Sequence, residues 1–180
     1  MNLKVIRLKP NPAGKDITLF GATAEQLAGE WVDIRNEGTT GFDLRGLFLY
    51  HQAYVGTSAE WKWAPVISSN AVINNVLPPW QTLRVHSGAV RSLDVVRQED
   101  MTDADLHAFT GRDAYIWNNS QSDAAAVWNP ANKQFIDRAD YGAFPPEGSV
   151  LVRQGDMLLP TFGARVANSD LIAALLRSSR

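Results

Sequence analysis

The chain has 180 residues, a formal net charge of -2 and no cysteine. Disulfides, thiolate metal sites and cysteine nucleophiles are therefore excluded. The length suits one domain of roughly 100–200 residues, which can bury about 70% of its unfolded surface without cross-links.

Near-neutral charge, with no basic run longer than two residues, speaks against a strong nucleic-acid footprint. The opening Met1 to Pro10 interleaves apolar and basic residues, whereas a signal peptide needs an uninterrupted apolar stretch. No segment approaches the roughly 20 apolar residues of a membrane helix. The expectation is a soluble, cytoplasmic protein with no membrane partner.

Leu3, Val5, Ile6 and Leu8 alternate with Lys4, Arg7 and Lys9, so a first strand is predicted, halted by Pro10 and Pro12. Asn11 to Asp16 has turn chemistry. Ala22 to Ala28 suits a short helical turn before Gly29. Glu30 to Arg35 reads as a strand with Val32 and Ile34 on one face and Trp31, Asp33 and Arg35 on the other. Phe42-Asp43-Leu44 and Leu47 to His51 follow as further strands, separated by glycine-bearing turns. Short strands at this spacing predict an antiparallel sandwich or barrel.

Trp61-Lys62-Trp63 is strand-like, and Val66 to Val76 is ambiguous. Leu77-Pro78-Pro79-Trp80 is a turn before the alternating strand Thr82 to His86. Residues 92–113 are acidic and irregular; Thr102 and Asp105 resemble a helix cap ahead of Leu106, His107 and Ala108, so a short helix or a long loop fits. Tyr115 to Asn119, Asp123 to Trp128 and Phe135 to Gly142 are the closing strands, with a hairpin turn at Asn129 to Asn132. Pro145-Pro146-Glu147-Gly148 marks a boundary. Residues 1–144 form the sandwich, of about seven to nine strands, and 145–180 an extension with a strand-like Val150-Leu151-Val152. Leu171, Ile172, Leu175 and Leu176 then fall on one face of a short amphipathic helix.

Several of these stretches, taken in order, resemble the lamin tail domain family. Glu30 to Gly38 and Phe42 to Leu49 are similar to its opening signature, an acidic residue, an aromatic and alternating aliphatics, then an asparagine turn, Asp-Leu and a glycine. Leu77 to Val85 is similar to its central hairpin strand, and Trp117 to Ser120, Asp123 to Val127 and Ile136 to Gly142 to its closing strands. The pattern departs at Leu47, where the family carries an aromatic, at Ser122-Asp123 in place of Gly-Asp, and at Asn132-Lys133-Gln134, which lacks the hairpin glycine. The resemblance implies an all-β, immunoglobulin-like sandwich of the single-domain bacterial kind, with no catalytic residues. It implies a structural or interaction role.

Candidate chemistry is sparse. His51, His86 and His107 lack any ligand spacing, although His51 and His86 lie at strand ends and can meet in space. Asp103 and Asp105 have the spacing of a calcium loop, but its glycine and closing glutamate are missing. No serine nucleophile elbow or phosphate-cradling loop is present. Asp137 and Asp140 are three apart on one strand and so face opposite ways. No catalytic residue, metal or cofactor is expected, and a hydrolase rests on nothing in the sequence.

Six tryptophans are the informative surplus. Trp117 and Trp31 suit a core. Trp61 and Trp63 form either an inter-sheet pair or an exposed strip. Trp80, in a Pro-Pro-Trp turn, suits an interface. The leading expectation is a non-catalytic protein-interaction or self-associating module using Trp80, the Trp61/Trp63 pair and the face of Leu171, Ile172, Leu175 and Leu176. The alternative is a nucleic-acid-binding accessory module with a basic edge of Arg84, Arg91 and Arg97.

Overall fold

The structure is a computed structural model that describes residues 3–15, 21–55, 60–68 and 75–161. The predicted helix face of Leu171, Ile172, Leu175 and Leu176 lies outside the described residues. So does most of the ambiguous stretch after Ser68.

Among the described residues the fold is all-β and sandwich-like. Its strands are β1 (Leu3–Lys9), β2 (Trp31–Asn36), β3 (Phe42–Asp43), β4 (Phe48–Val55), β5 (Glu60–Ser68), β6 (Val76–Leu77) and β7 (Thr82–His86). They continue with β8 (Leu106–Phe109), β9 (Asp123–Asn129), β10 (Gln134–Tyr141), β11 (Leu151–Gln154) and β12 (Met157–Pro160). Two short α-helices, α1 (Ala24–Ala28) and α2 (Gln98–Met101), and a 3-10 turn at Leu93–Val95 interrupt them. One large sheet runs β5-β4-β9-β10-β12-β11-β1-β2-β7-β8, and β3 pairs β6 separately. The large sheet curls so that β1 packs against β9 and β10.

The core fills the space inside that curl. Leu3, Val5, Leu8, Val32, Ile34, Leu83 and Val85 come from one side, and Leu49, Val66, Ala125, Val127, Ala139 and Tyr141 from the other. Each large aliphatic side chain so buried is worth about 1.5–3 kcal/mol. A bulge between Val5 and Arg7 explains the imperfect alternation of β1. Ile6 is the extra residue, so Leu8 returns to the core while Lys4, Arg7 and Lys9 stay on the outer face.

The helical turn expected before Gly29 is present as α1. Thr23 Oγ1 accepts from the Gln26 N–H, and Gln26 Oε1 accepts from the Thr23 N–H, forming a capping box. Strands at β1, β2, β4, β7, β9 and β10 lie where the sequence predicts them.

Several expectations are corrected. Leu106 to Ala108 are not helical: they belong to β8, which runs parallel to β7 from Leu83↔Leu106 to His86↔Phe109. Four residues carry too little periodicity to separate the two states, and pairing with β7 decides for the strand. Tyr115 to Asn119 is irregular rather than a strand, because the Ile116 and Trp117 N–H groups donate to the Glu30 carboxylate instead of to a ladder. The seven to nine strands expected become twelve among the described residues, with β6, β8 and β12 the short additions. The boundary at 145 does not end the sheet either. β11 pairs with β1 and β12 with β11, so residues up to Pro160 belong to the same sandwich.

Candidate functional site

The outer face of β1, β2 and β7 carries a cluster of charged side chains: Lys4, Arg7, Lys9, Asp33, Arg35 and Arg84. Register places Lys9, Trp31 and His86 in one row, Arg7, Asp33 and Arg84 in the next, and Lys4, Arg35 and Thr82 in a third. The first two rows are closed by ion pairing. Arg84 grips Asp33 with two bonds, Nε to Oδ1 at 2.7 Å and Nη2 to Oδ2 at 2.8 Å. Its Nη1 donates to the carbonyls of Asp100 and Thr102, at 2.8 and 3.0 Å. Its guanidinium carbon lies 3.6 Å from the Trp31 ring centre. Asp100, itself buried, accepts from Lys9 Nζ at 2.7 Å and from Trp31 Nε1 at 2.6 Å. This cluster clamps the α2 segment onto the sheet.

Arg84 is therefore not part of a basic edge: it is 1% exposed and every guanidinium nitrogen is occupied. Arg97 pairs with Glu25 at 2.9 Å, and Arg91 is exposed beside Gly111. Compensation of this kind leaves no contiguous positive strip through the three arginines.

The third row opens into a groove of about 980 Å³ lined by β1, β2, β11 and the turns before β7 and β8. Lys4, Arg7, Arg35 and Arg153 bring four cations to it, and Glu37, Asp103, Asp105 and Asp156 four carboxylates. Three of the cations are committed. Lys4 Nζ donates to Asp137 at 2.9 Å, Arg7 Nε to Asp33 at 2.7 Å, and Arg153 pairs with Asp137 and Asp156. Arg35 differs. It faces Lys4 across one ladder and Thr82 across the other, and its guanidinium has no hydrogen-bond or ion-pair partner among the described residues. Its Nε is buried and unsatisfied.

Trp80 stands at the rim, 56% exposed. It is the third residue of the turn Pro78-Pro79-Trp80-Gln81, closed by the Gln81 N–H donating to Pro78 O at 3.3 Å. Pro79 suits the second position, and the third takes a positive φ of 63°, where glycine normally sits. A bulky residue there is strained by roughly 1–2 kcal/mol. The strain is held by β2, since the Trp80 N–H donates to Asn36 O at 2.7 Å and the Asn36 N–H to Gln81 O at 3.0 Å. Asn36 adjoins Arg35, so the ring and the free guanidinium sit on bonded neighbours.

The other tryptophans are placed differently. Trp63 is half-buried, 4.6 Å from Phe135 between ring centres, and Phe135 in turn meets Trp128 at 4.8 Å. These rings meet at 52° and 69°, interlocking across strands rather than lying flat. Trp61 lies in β5, and its side chain is outside the described residues. Trp117 and Trp31 are buried, each 2% exposed.

The histidines pair otherwise than expected. His51 faces Asp123 at 3.3 Å. His86 meets His107, Nε2 to Nδ1 at 2.9 Å, because β7 and β8 are neighbours. His86 Nδ1 donates to Ala28 O at 2.7 Å, so its Nε2 accepts from His107 Nδ1–H. Burial above all pushes the His86 imidazole down to about 3, with His107, Arg84 and Lys9 adding to the shift, and burial also lowers His107. Glu30, fully buried, takes Lys15 Nζ at 2.6 Å and Ser87 Oγ at 2.5 Å. Burial pushes its carboxyl up, against the opposing pull of Lys15. Both clusters tie loops to strands. Among the described residues, no three histidine, aspartate or glutamate side chains gather as a metal-holding group, and no helix is long and apolar enough to cross a membrane.

Sequence reasoning placed Trp80 in an exposed turn, where it stands, and did not single out Arg35, Lys4, Arg7 or Arg153. Their meeting depends on strand register and on the return of β11 to β1. Comparison with known proteins finds no matching family model and no matching curated protein.

Proposed function

We propose that this protein is a non-catalytic interaction module of the lamin tail kind, acting in the cytoplasm and docking a protein partner across the groove beside Trp80. One observation carries the reading. A tryptophan is held at a positive φ, largely exposed, where glycine would relieve the strain. Strained backbone clusters at functional sites, and exposed tryptophans anchor protein interfaces. The balanced charge of the groove suits a polar protein surface better than a polyanion. Strands β2, β4, β7, β9 and β10 carry the lamin-tail-like stretches, which is what supports the family side of the reading.

The test is a photo-crosslinking residue at Glu37, exposed in the groove, with a second at Lys133 on the β9–β10 hairpin as control. The expected result is one identified protein captured from the cell of origin at position 37 and not at 133. Unlabelled wild-type chain displaces it, and the Trp80→Gly chain does not. Equal capture at both positions, or equal displacement by Trp80→Gly, overturns the reading.

A further inference from the structure

Arg35 is the residue of the groove with unmet chemistry. A guanidinium presents five donors in a fixed fork and stays charged at any physiological pH. Here its Nε is buried without an acceptor, although Asp103 and Asp105 line the same groove. Those carboxylates are engaged elsewhere: Asp103 Oδ2 accepts from Arg7 at 3.3 Å, and Asp105 Oδ2 from the Thr82 N–H at 2.8 Å. Lys4, directly opposite Arg35, leans away to Asp137. Among the described residues, the fold has thus matched the other cations of the groove and left one fork open. An acceptor arriving in the groove can pair with the guanidinium at its terminal Nη groups, which have no acceptor among the described residues.

Resting on the docking reading above, we infer that Arg35 seats a single carboxylate of the partner, an aspartate or glutamate side chain whose apolar neighbour lies against the Trp80 ring. Among the described residues, one free cation beside four carboxylates sets the charge of the guest. A lone carboxylate is neutralised by one guanidinium in a two-bond fork. A phosphate, or a nucleic-acid strand, brings more negative charge than one free cation matches. The position of Trp80 sets the second element. Its backbone is bonded to Asn36, the residue after Arg35, so ring and fork address adjacent positions of one extended segment.

The experiment observes the Arg35 Nε–H and Trp80 indole N–H signals of the full chain by NMR during titration. The probes are N-acetyl-Phe-Glu-amide, N-acetyl-Phe-Gln-amide, inorganic phosphate and single-stranded oligothymidylate. The glutamate probe is expected to move both signals and to bind at least about tenfold more tightly than the glutamine probe. Arg35→Gln brings the two probes level, with the remaining spectrum unchanged because Arg35 has no partner to lose among the described residues. Equal binding of the two probes overturns the inference, as does tighter binding of phosphate or oligothymidylate. The docking reading is judged apart from it: capture from position 37 that survives Arg35→Gln overturns the carboxylate seat and leaves docking intact, whereas capture lost in Arg35→Gln supports both.

Discussion

The Asp137 carboxylate on β10 accepts the backbone N–H of Val5 on β1 at 2.8 Å, so a side chain stands where a ladder partner is missing. β11 reaches only Arg7 and Leu8 of β1, which leaves the Val5 end of the strand open on that side. Asp137 fills the opening and is held there by Lys4 and Arg153, while Arg153 Nη1 also donates to the Val5 carbonyl at 3.1 Å. One carboxylate thus closes the seam between the two halves of the curled sheet.

Asp137→Ala should cost about 2–4 kcal/mol, because the Val5 N–H and two cations lose their partner together. Asp137→Asn should cost less, since the amide carbonyl oxygen can still accept from Val5. Urea unfolding of both variants measures the difference.

Trp80→Gly should leave stability within about 1 kcal/mol of wild type, since relief of positive φ offsets the lost ring contacts. A loss above about 3 kcal/mol would mark Trp80 as a packing residue, which thermal or urea unfolding reads directly.

Arg84→Gln should destabilise by roughly 3–5 kcal/mol, because Asp33, fully buried, loses its two-bond partner. Arg84→Lys should not restore it, as an ammonium cannot make the fork and also hold the carbonyls of Asp100 and Thr102. A surface arginine in a basic edge would show almost no such cost, so unfolding measurements separate the two roles.

Acid should weaken the fold through His86. The imidazole is neutral in the folded protein down to about pH 3, whereas in the unfolded chain it takes a proton near its ordinary 6.5. The unfolded state therefore binds more protons between those values. Stability present above pH 6.5 falls as pH drops, by up to about 1.4 kcal/mol per unit for this group. His107, also lowered, acts in the same direction. Unfolding free energy measured from about pH 7 to 4 should show this slope, and His86→Phe should reduce it while lowering stability at neutral pH.

The strand pattern was largely legible because it is local. Alternation of period two marks β1, β2 and β7, short apolar stretches bounded by turn residues mark β4, β9 and β10, and the turn residues between them are read from their own chemistry. Where a segment is short, the pattern runs out: Leu106 to Phe109 could not be told from a helix until β7 supplied its partner. Glu30 drew Ile116 and Trp117 out of the strand predicted for them through bonds that span 86 and 87 residues.

The residues alone determined an all-β chain, free of cysteine chemistry, with Trp80 at a proline-set turn. Tertiary structure decided which charges meet. Arg84 and Arg35 look alike in sequence, both on alternating strands, yet one is sealed onto Asp33 and the other left open in the groove. The difference lies in strand register and in the packing of α2 over only part of the sheet. Neither is a property of neighbours along the chain.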